Sequence, residues 1–409
     1  MPAMTSLFTG LYPIEHGVNQ AGSVLPLGVS TLVGRLKGLG YETASFTAVP
    51  WIGLSTRLQF DTHKLVDRLF DKPDLRWWHL GVEKLYAWVR AKKDKGAARI
   101  NEEVKRWLAG LSAPDRPFFL YLHYLEPHAP YWPPTQYHDF VPSDTHADRE
   151  LQRLADIELA YLAGQVELSR RDLEAIRGLY DSSIYYLDER IGELLDMLSA
   201  RFALDEMLII VTADHGENLG EHGLLGHQHC LYDSLLRVPL IVRYPARFPA
   251  GVRIPSVVQT IDLMATVADV LGVNETWQPG ASSWNSLVPN SLTESAVEER
   301  AYAQYLCPLV ERFQRWYPGF DSSIYERRYW SIRTAARKLI RDDLGSIELY
   351  NYRDDPGEII NLAAQESAEA ERLDLELTAW LKRVDRLAGE PGNDLDLVTL
   401  ERLRGLGYL

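Results

Sequence analysis

Apolar residues fall along this chain in two alternating rhythms: short continuous runs, and longer stretches in which they recur every three or four positions. Thr43 to Val49 and Pro117-Phe-Phe-Leu-Tyr-Leu-His-Tyr124 are short runs that read as strands, and Met207 to Val211 and Val238-Pro-Leu-Ile-Val-Arg-Tyr244 are two more. Between them, Tyr180 to Leu198 places Ile184, Leu187, Ile191, Leu194, Leu195 and Leu198 on one face of an amphipathic helix. Thr260 to Leu271 reads as another helix. Strands that alternate with helices predict a wound α/β core with a central, mostly parallel sheet between helices, and the 180–198 helix is expected beside the strand that leads to Asp214.

The segments 73 to 115 and 141 to 180 are charged and helical in pattern, and are expected as insertions on the rim. Past residue 275 the texture changes, and Trp277 to Glu298, rich in Pro, Ser, Asn and Gly, reads as a loop or linker. Beyond it, Tyr329 to Arg341 and Ile347 to Tyr352 flank Asp342-Asp-Leu-Gly345, a hairpin signal because Asp and Gly supply the turn geometry. A charged helix from about Gln365 to Leu387 and a tail ending at Leu409 follow. These features divide the chain into an α/β domain over 1–290 and a smaller α+β subdomain over 300–409.

The strand ending at Val211 is where chemistry concentrates. It runs into Thr-Ala-Asp214-His215-Gly and then a glycine-rich loop that holds three further histidines, His222, His227 and His229. In open α/β sheets ligands bind at the carboxyl ends of strands, and an adjacent carboxylate and imidazole suit a divalent metal. A second candidate is His128, which follows the Phe118 to Tyr124 strand and is flanked by Pro127 and Pro130, residues that keep the loop from continuing as a helix. The bland readings are a helix cap with a surface histidine for the pair, and a backbone-bonded loop histidine for His128.

Composition narrows the classes. An apolar fraction of 46% over 409 residues supports a sizeable core, and neither disorder nor a fibrous class is indicated. The net charge of −14 argues against nucleic acid as a partner, and the one dense basic run, Arg90-Ala-Lys-Lys-Asp-Lys95, reads as a solvated helix face. Cys230 and Cys307 form no metal or redox spacing; a single bridge between them is neither required nor excluded. No segment approaches the ~18 consecutive apolar residues of a membrane span, and the first twenty residues lack the pattern of a secretion signal. The chain as encoded is therefore expected to be soluble and cytoplasmic, with its compartment open if residues upstream of Met1 carry a signal.

The run from Asp214 through Gly-Glu-Asn-Leu-Gly-Glu-His-Gly-Leu-Leu-Gly-His227, continuing to Leu231-Tyr-Asp-Ser-Leu-Leu-Arg-Val-Pro-Leu-Ile-Val242, resembles the metal- and substrate-binding segment of sulfatases in the alkaline phosphatase superfamily. Pro-His128-Ala-Pro-Tyr and Thr260-Ile-Asp262-Leu-Met-Ala-Thr266 agree, and Glu348-Leu-Tyr-Asn-Tyr-Arg-Asp-Asp-Pro356 resembles the signature of that family's small C-terminal domain. Pro2 to Val18 resembles the helix that begins just after the family's nucleophile. The resemblance implies an alkaline-phosphatase-like fold and a hydrolase of sulfate or phosphate esters acting on a small-molecule or glycan substrate. It implies Asp214 and His215 as ligands of a divalent metal, which could be Ca, Mg, Mn or Zn. His128 would meet the transferring group or protonate the leaving oxygen, and His227 falls where many sulfatases carry a sulfate-binding lysine. His229 would assist, while His16 and His222 would hold loops.

The chain also departs from the pattern. The family's nucleophile stands two residues before the proline matching Pro2, one position upstream of Met1, and the N-terminal strand with paired acidic ligands has no counterpart. Ala3-Met4 replaces the Ser-Arg of formylglycine enzymes, and Val49-Pro50 offers no polar group where the family often places one. A truncated record of an active enzyme is the expectation. The alternatives are a phosphodiesterase or phosphonate monoester hydrolase with a Ser or Thr nucleophile, and an inactive remnant.

Overall fold

The computed structural model describes residues 1–20, 23–49, 52, 56–66, 94–111, 116–143, 157–273, 277, 285–289 and 300–385. The 73–93 part of the first charged segment, most of the 277–298 linker and the C-terminal tail lie outside them. The principal helices are α1 (Pro2–Thr9), α2 (Leu32–Gly38), α3 (Ala97–Ala109), α4 (Arg170–Ser199), α5 (Asp262–Val270) and α6 (Ser367–Asp385). The strands are β1 (Glu42–Thr47), β2 (Thr62–Leu65), β3 (Phe118–His123), β4 (Ile209–Thr212), β5 (Asn218–Leu219), β6 (Leu225–Gly226), β7 (Leu240–Arg243), β8 (Ala301–Tyr305), β9 (Tyr329–Arg333), β10 (Lys338–Asp342) and β11 (Ile347–Tyr350).

β1 sits between β2 and β3 and pairs parallel with both, with Glu42 opposite Phe118 and Thr47 opposite His123. Alternation along β3 sends its side chains to two faces. Phe118 packs on Trp107 of α3 and on Phe202, while Tyr121 meets Phe8 of α1 and Phe60. Buried side chains from α1, α2, α3, α4 and α5 join β1 in one core, so helices cover the sheet. α3 belongs to that core through Ile100, Val104 and Leu108, which corrects the expectation that the whole charged stretch ending at residue 115 lies on the rim. Most of its charges occupy the outward face of an amphipathic helix, while Glu103 is buried and paired with Lys64 and Arg106.

β4 and β7 form a separate antiparallel pair, Ile209 opposite Arg243 and Thr212 opposite Leu240. Neither β3 nor β4 has a second strand partner among the described residues, and both line a cleft of about 3320 Å³. α4 begins ten residues ahead of the amphipathic stretch read from the sequence, at a capping box in which the Ser169 hydroxyl accepts from the Asp172 N–H.

The C-terminal sheet is antiparallel in the order β11-β10-β9-β8. The Tyr329–Arg341 run is two strands rather than one, because the chain turns at Thr334, whose hydroxyl accepts from the Ala336 and Arg337 amides. The Asp342–Gly345 turn closes the expected hairpin, with the Asp342 carboxylate accepting from the Leu344 and Ser346 amides. Ile332, Leu339 and Leu349 face α6; Ile340 and Tyr350 face the other way, onto Leu231 and Tyr232. Trp380 of α6 stacks on Tyr302 at 4.3 Å and meets Tyr12, tying this sheet to the loop after α1.

A buried ion cluster makes the second tie. Lys338, wholly inaccessible, sits 2.8 Å from Asp233 and 2.7 Å from Glu358, and Arg333 grips the same Asp233. Glu358 also accepts from the Asp233 amide at 2.6 Å. Burial pushes the Asp233 carboxyl up, but Lys338 and Arg333 outweigh it and hold the group below its ordinary value. Removing one partner of such a cluster strands a buried charge, so Lys338→Met is expected to cost about 3–5 kcal/mol in denaturant unfolding. Because the folded carboxyl is depressed, this contribution is present above the ordinary Asp pKa of about 4 and fades as pH falls through the lowered value. Acid titration followed by Trp330 and Trp380 fluorescence should show the wild type losing stability below about pH 4, and Lys338→Met losing less over that interval.

Candidate functional site at the ends of β3 and β4

β4 delivers Asp214 and His215 into the cleft just past its last paired residue, Thr212. The next residue must be glycine, because a β-carbon on Gly216 would stand 2.0 Å from the Ser234 carbonyl oxygen. That close approach lets the Gly216 N–H donate to the Leu235 carbonyl at 2.8 Å and seats the Asp-His pair against the 233–236 turn. The loop then folds back as the β5–β6 hairpin, pairing Asn218 with Gly226 and Leu219 with Leu225. Continuing that register by one step sets Glu217 opposite His227, and the His227 Nδ1 lies 3.2 Å from Oε1 of Glu217. A spacing of twelve residues is thus closed, and the His227 ring stacks on His215 with centroids 4.3 Å apart.

β3 brings the third imidazole. His128 lies five residues past the strand end, its ring centroid 4.7 Å from His227 and 6.2 Å from His215. Its Nδ1 is 2.5 Å from the Ala129 carbonyl. A carbonyl oxygen only accepts, so Nδ1 carries the proton and Nε2 presents its lone pair. The same logic applies to His215, whose Nδ1–H donates to the Gly216 carbonyl at 2.8 Å, leaving Nε2 unprotonated and 3.7 Å from Oδ2 of Asp214.

The electrostatics follow from burial. It pushes His128 down to about 3, aided by His227, and pushes His123 and His227 down as well, so these imidazoles are neutral at pH 7. Burial also pushes the Asp214 carboxyl up, but His215 and then His123, when protonated, outweigh burial and hold the carboxyl below the usual carboxylate range. A carboxylate and an imidazole lone pair that converge suit a divalent cation, with the His215 Nδ1–H anchored as metal-bound imidazoles usually are. The two supply only part of a shell: among the described residues no group of three or more His, Cys, Asp or Glu could hold a metal.

The four residues singled out from the sequence, Asp214, His215, His128 and His227, therefore meet at one place. His229 does not join them. Its ring packs among Tyr325, Tyr305 and Phe313, turned there by a backbone φ of 67°. His222 stacks on Tyr232 at 3.6 Å, and His16 is buried with Nε2–H donating to Ser6 Oγ and Nδ1 accepting from the Val18 amide. Both cysteines are free thiols.

The sequence profile of the sulfatase family matches residues 1–273, and a profile described as N-sulphoglucosamine sulphohydrolase, C-terminal, matches 220–386. The chain belongs to the sulfatase family. It is a member of the alkaline phosphatase superfamily with that superfamily's α/β fold, and its relatives are sulfuric ester hydrolases. The choline-sulfatase of Rhizobium meliloti is 24% identical over 403 residues, covering 88% of this chain and 72% of that protein. A solved structure in complex with its substrate D-glucosamine-2-N,6-O-disulfate superposes with a TM-score of 0.69 at 21% identity, over 94% of this chain and 88% of that one. The phosphonate monoester hydrolase of Agrobacterium radiobacter superposes at 0.67 with 23% identity, over 94% and 86%.

Three polar groups of this chain escaped sequence reasoning. Glu217, two residues past His215, is nearly fully buried and supports His227; the hairpin register, not the spacing, reveals it. His123 closes β3 with a buried Nδ1 that has no hydrogen-bond partner among the described residues, and its protonated form acts electrostatically on Asp214. Lys95 was read as part of a solvated basic face, yet it is buried, its ammonium turned onto the backbone before His128. Arg90 to Lys93 lie outside the described residues. Gly216→Ala forces a steric overlap with backbone and is expected to cost at least about 1–3 kcal/mol, visible as a lowered thermal midpoint with the Asp214 turn displaced.

Proposed function

We propose that this chain carries the histidine and metal half of a sulfuric ester hydrolase, with Asp214 and His215 as metal ligands and His128 and His227 as the groups that act on the substrate. The observation that supports this reading is the convergence of those four side chains at the carboxyl ends of β3 and β4, in a cleft open to a ligand. A bound divalent cation would polarise the ester oxygens and lower the pKa of a hydroxyl nucleophile. His227, held through Nδ1 by Glu217, turns Nε2 toward the oxygens of a bound anion and can hydrogen-bond them once protonated. His128 holds its Nδ1 proton on the Ala129 carbonyl, leaving Nε2 to take up and return a proton at the leaving oxygen.

The nucleophile is proposed to enter at the start of α1. Met1 lines the same cleft as Asp214 and His215, which supports entry of a nucleophile from that side. The substrate class is a sulfate ester on a small alcohol or a sugar, consistent with a choline-sulfatase relative and a neighbour holding a disulfated glucosamine. A phosphonate or phosphate ester is the second reading, supported by His227 standing where the family resemblance implies a sulfate-binding lysine, and by the fold shared with a phosphonate monoester hydrolase.

Two measurements test the proposal. The protein expressed from the whole reading frame, with any codons upstream of Met1 included, should hydrolyse an aryl sulfate faster than a phosphate diester, and His128→Ala or His227→Ala should lower kcat by about 10²–10⁴-fold. Preference for the diester rejects the sulfatase assignment, and an unaltered rate in both variants rejects the site. Separately, Ca, Mg, Mn or Zn at about 100 times its dissociation constant should stabilise the fold by roughly 2.7 kcal/mol, an effect that Asp214→Asn abolishes; equal stabilisation of the variant rejects Asp214 as a ligand.

A further inference from the structure

The loop that carries His128 leaves β3 with three carbonyl oxygens turned inward toward one point, those of Leu125, Glu126 and His128, and the Lys95 ammonium occupies that point. Nζ donates to Leu125 at 3.3 Å, to Glu126 at 3.0 Å and to the His128 carbonyl. Lys95 is 2% exposed, so no water replaces these bonds. Opposite the lysine, the Glu126 carboxylate accepts from the Ala97 amide at 2.7 Å, in the first turn of α3, and from the Leu125 amide at 3.1 Å. The His128 loop is therefore fastened on both sides to a single junction: the lysine that precedes α3 and the first amide of that helix.

An ammonium has three donors and no acceptor, so one lysine can gather three carbonyls that a neutral side chain of the same length would leave unpaired. Two further constraints on His128 are local, its own Nδ1–H on Ala129 and its amide, which donates to Leu125. Those fix the ring relative to its loop. The Lys95 and Glu126 contacts fasten the loop backbone to the start of α3, beside the packing of Leu125 in the core and the contact of the His128 ring with His227.

We propose that Lys95 is a positioning residue for His128, acting through the loop backbone and not on the substrate. This rests on the reading of His128 as a reacting group only for its kinetic consequence; the structural consequence stands alone. The test uses the full chain with isotope-labelled histidine, the His128 and His16 ring signals being assigned by His128→Gln and His16→Asn. In Lys95→Met the His128 signal is expected to move or divide while His16, buried against Ser6 and Val18, keeps its position; Lys95→Gln, with fewer donors, is expected to give a smaller change and serves if the methionine variant does not accumulate. In a hydrolytically active form, Lys95→Met should lower kcat roughly 100-fold at unchanged KM, the size expected of an ångström-scale misplacement. A His128 signal that stays where it was overturns the proposal, and so does joint displacement of His128 and His16, which would make Lys95 a general core residue. Absence of turnover in the wild type counts against the hydrolase reading and leaves the resonance test intact.

Discussion

The site depends on a contact that admits no side chain, Gly216 lying against the Ser234 carbonyl. Everything polar at the end of β4 is positioned by it. Asp214 and His215 are held because Gly216 donates to Leu235, and the 233–236 turn is held because Asp233 is locked to Lys338, Arg333 and Glu358. The C-terminal sheet thus acts on the candidate chemistry through two links, a buried charge cluster and a backbone approach. A buried charge cluster adds little net stability over well-packed apolar residues of the same size. Its geometric demands are strict, however, and strict geometry is what a ligand-holding turn requires.

A second theme is the division of labour among imidazoles. Seven described histidines lie in or near this region, and burial keeps most of them neutral. What distinguishes them is the partner of each ring nitrogen. His215 and His128 spend Nδ1 on a neighbouring backbone carbonyl and so keep Nε2 for a ligand. His16 uses both nitrogens within the protein, and His222 and His229 are absorbed in aromatic stacks. Residue type alone does not separate these roles; hydrogen-bond bookkeeping does.

Regular elements were largely legible from the pattern of side chains. The runs at 43–49, 117–124, 207–211 and 238–244 all became strands, because a short apolar run with turn residues on either side has few other ways to bury itself. Legibility failed where a local signal had two meanings. Tyr329 to Arg341 looked continuous because the turn at Thr334 is made by a hydroxyl and backbone, not by Gly or Pro. The basic run ending at Lys95 looked solvated because charge normally is, whereas three carbonyls 30 to 33 residues further on, beyond α3 and β3, satisfy the buried ammonium there.

What the sequence determined by itself is which residues could do chemistry: an Asp-His pair at a strand end, a proline-framed histidine and a histidine-bearing glycine loop, each dictated by local backbone and side-chain type. Tertiary structure alone decided which of them meet. The hairpin register that puts Glu217 opposite His227, the parallel sheet that carries β3 alongside β1, and the Lys95 clamp on the His128 loop are relations between residues 10 to 76 positions apart. No local propensity encodes such distances, because they are set by the packing of whole elements around a shared core.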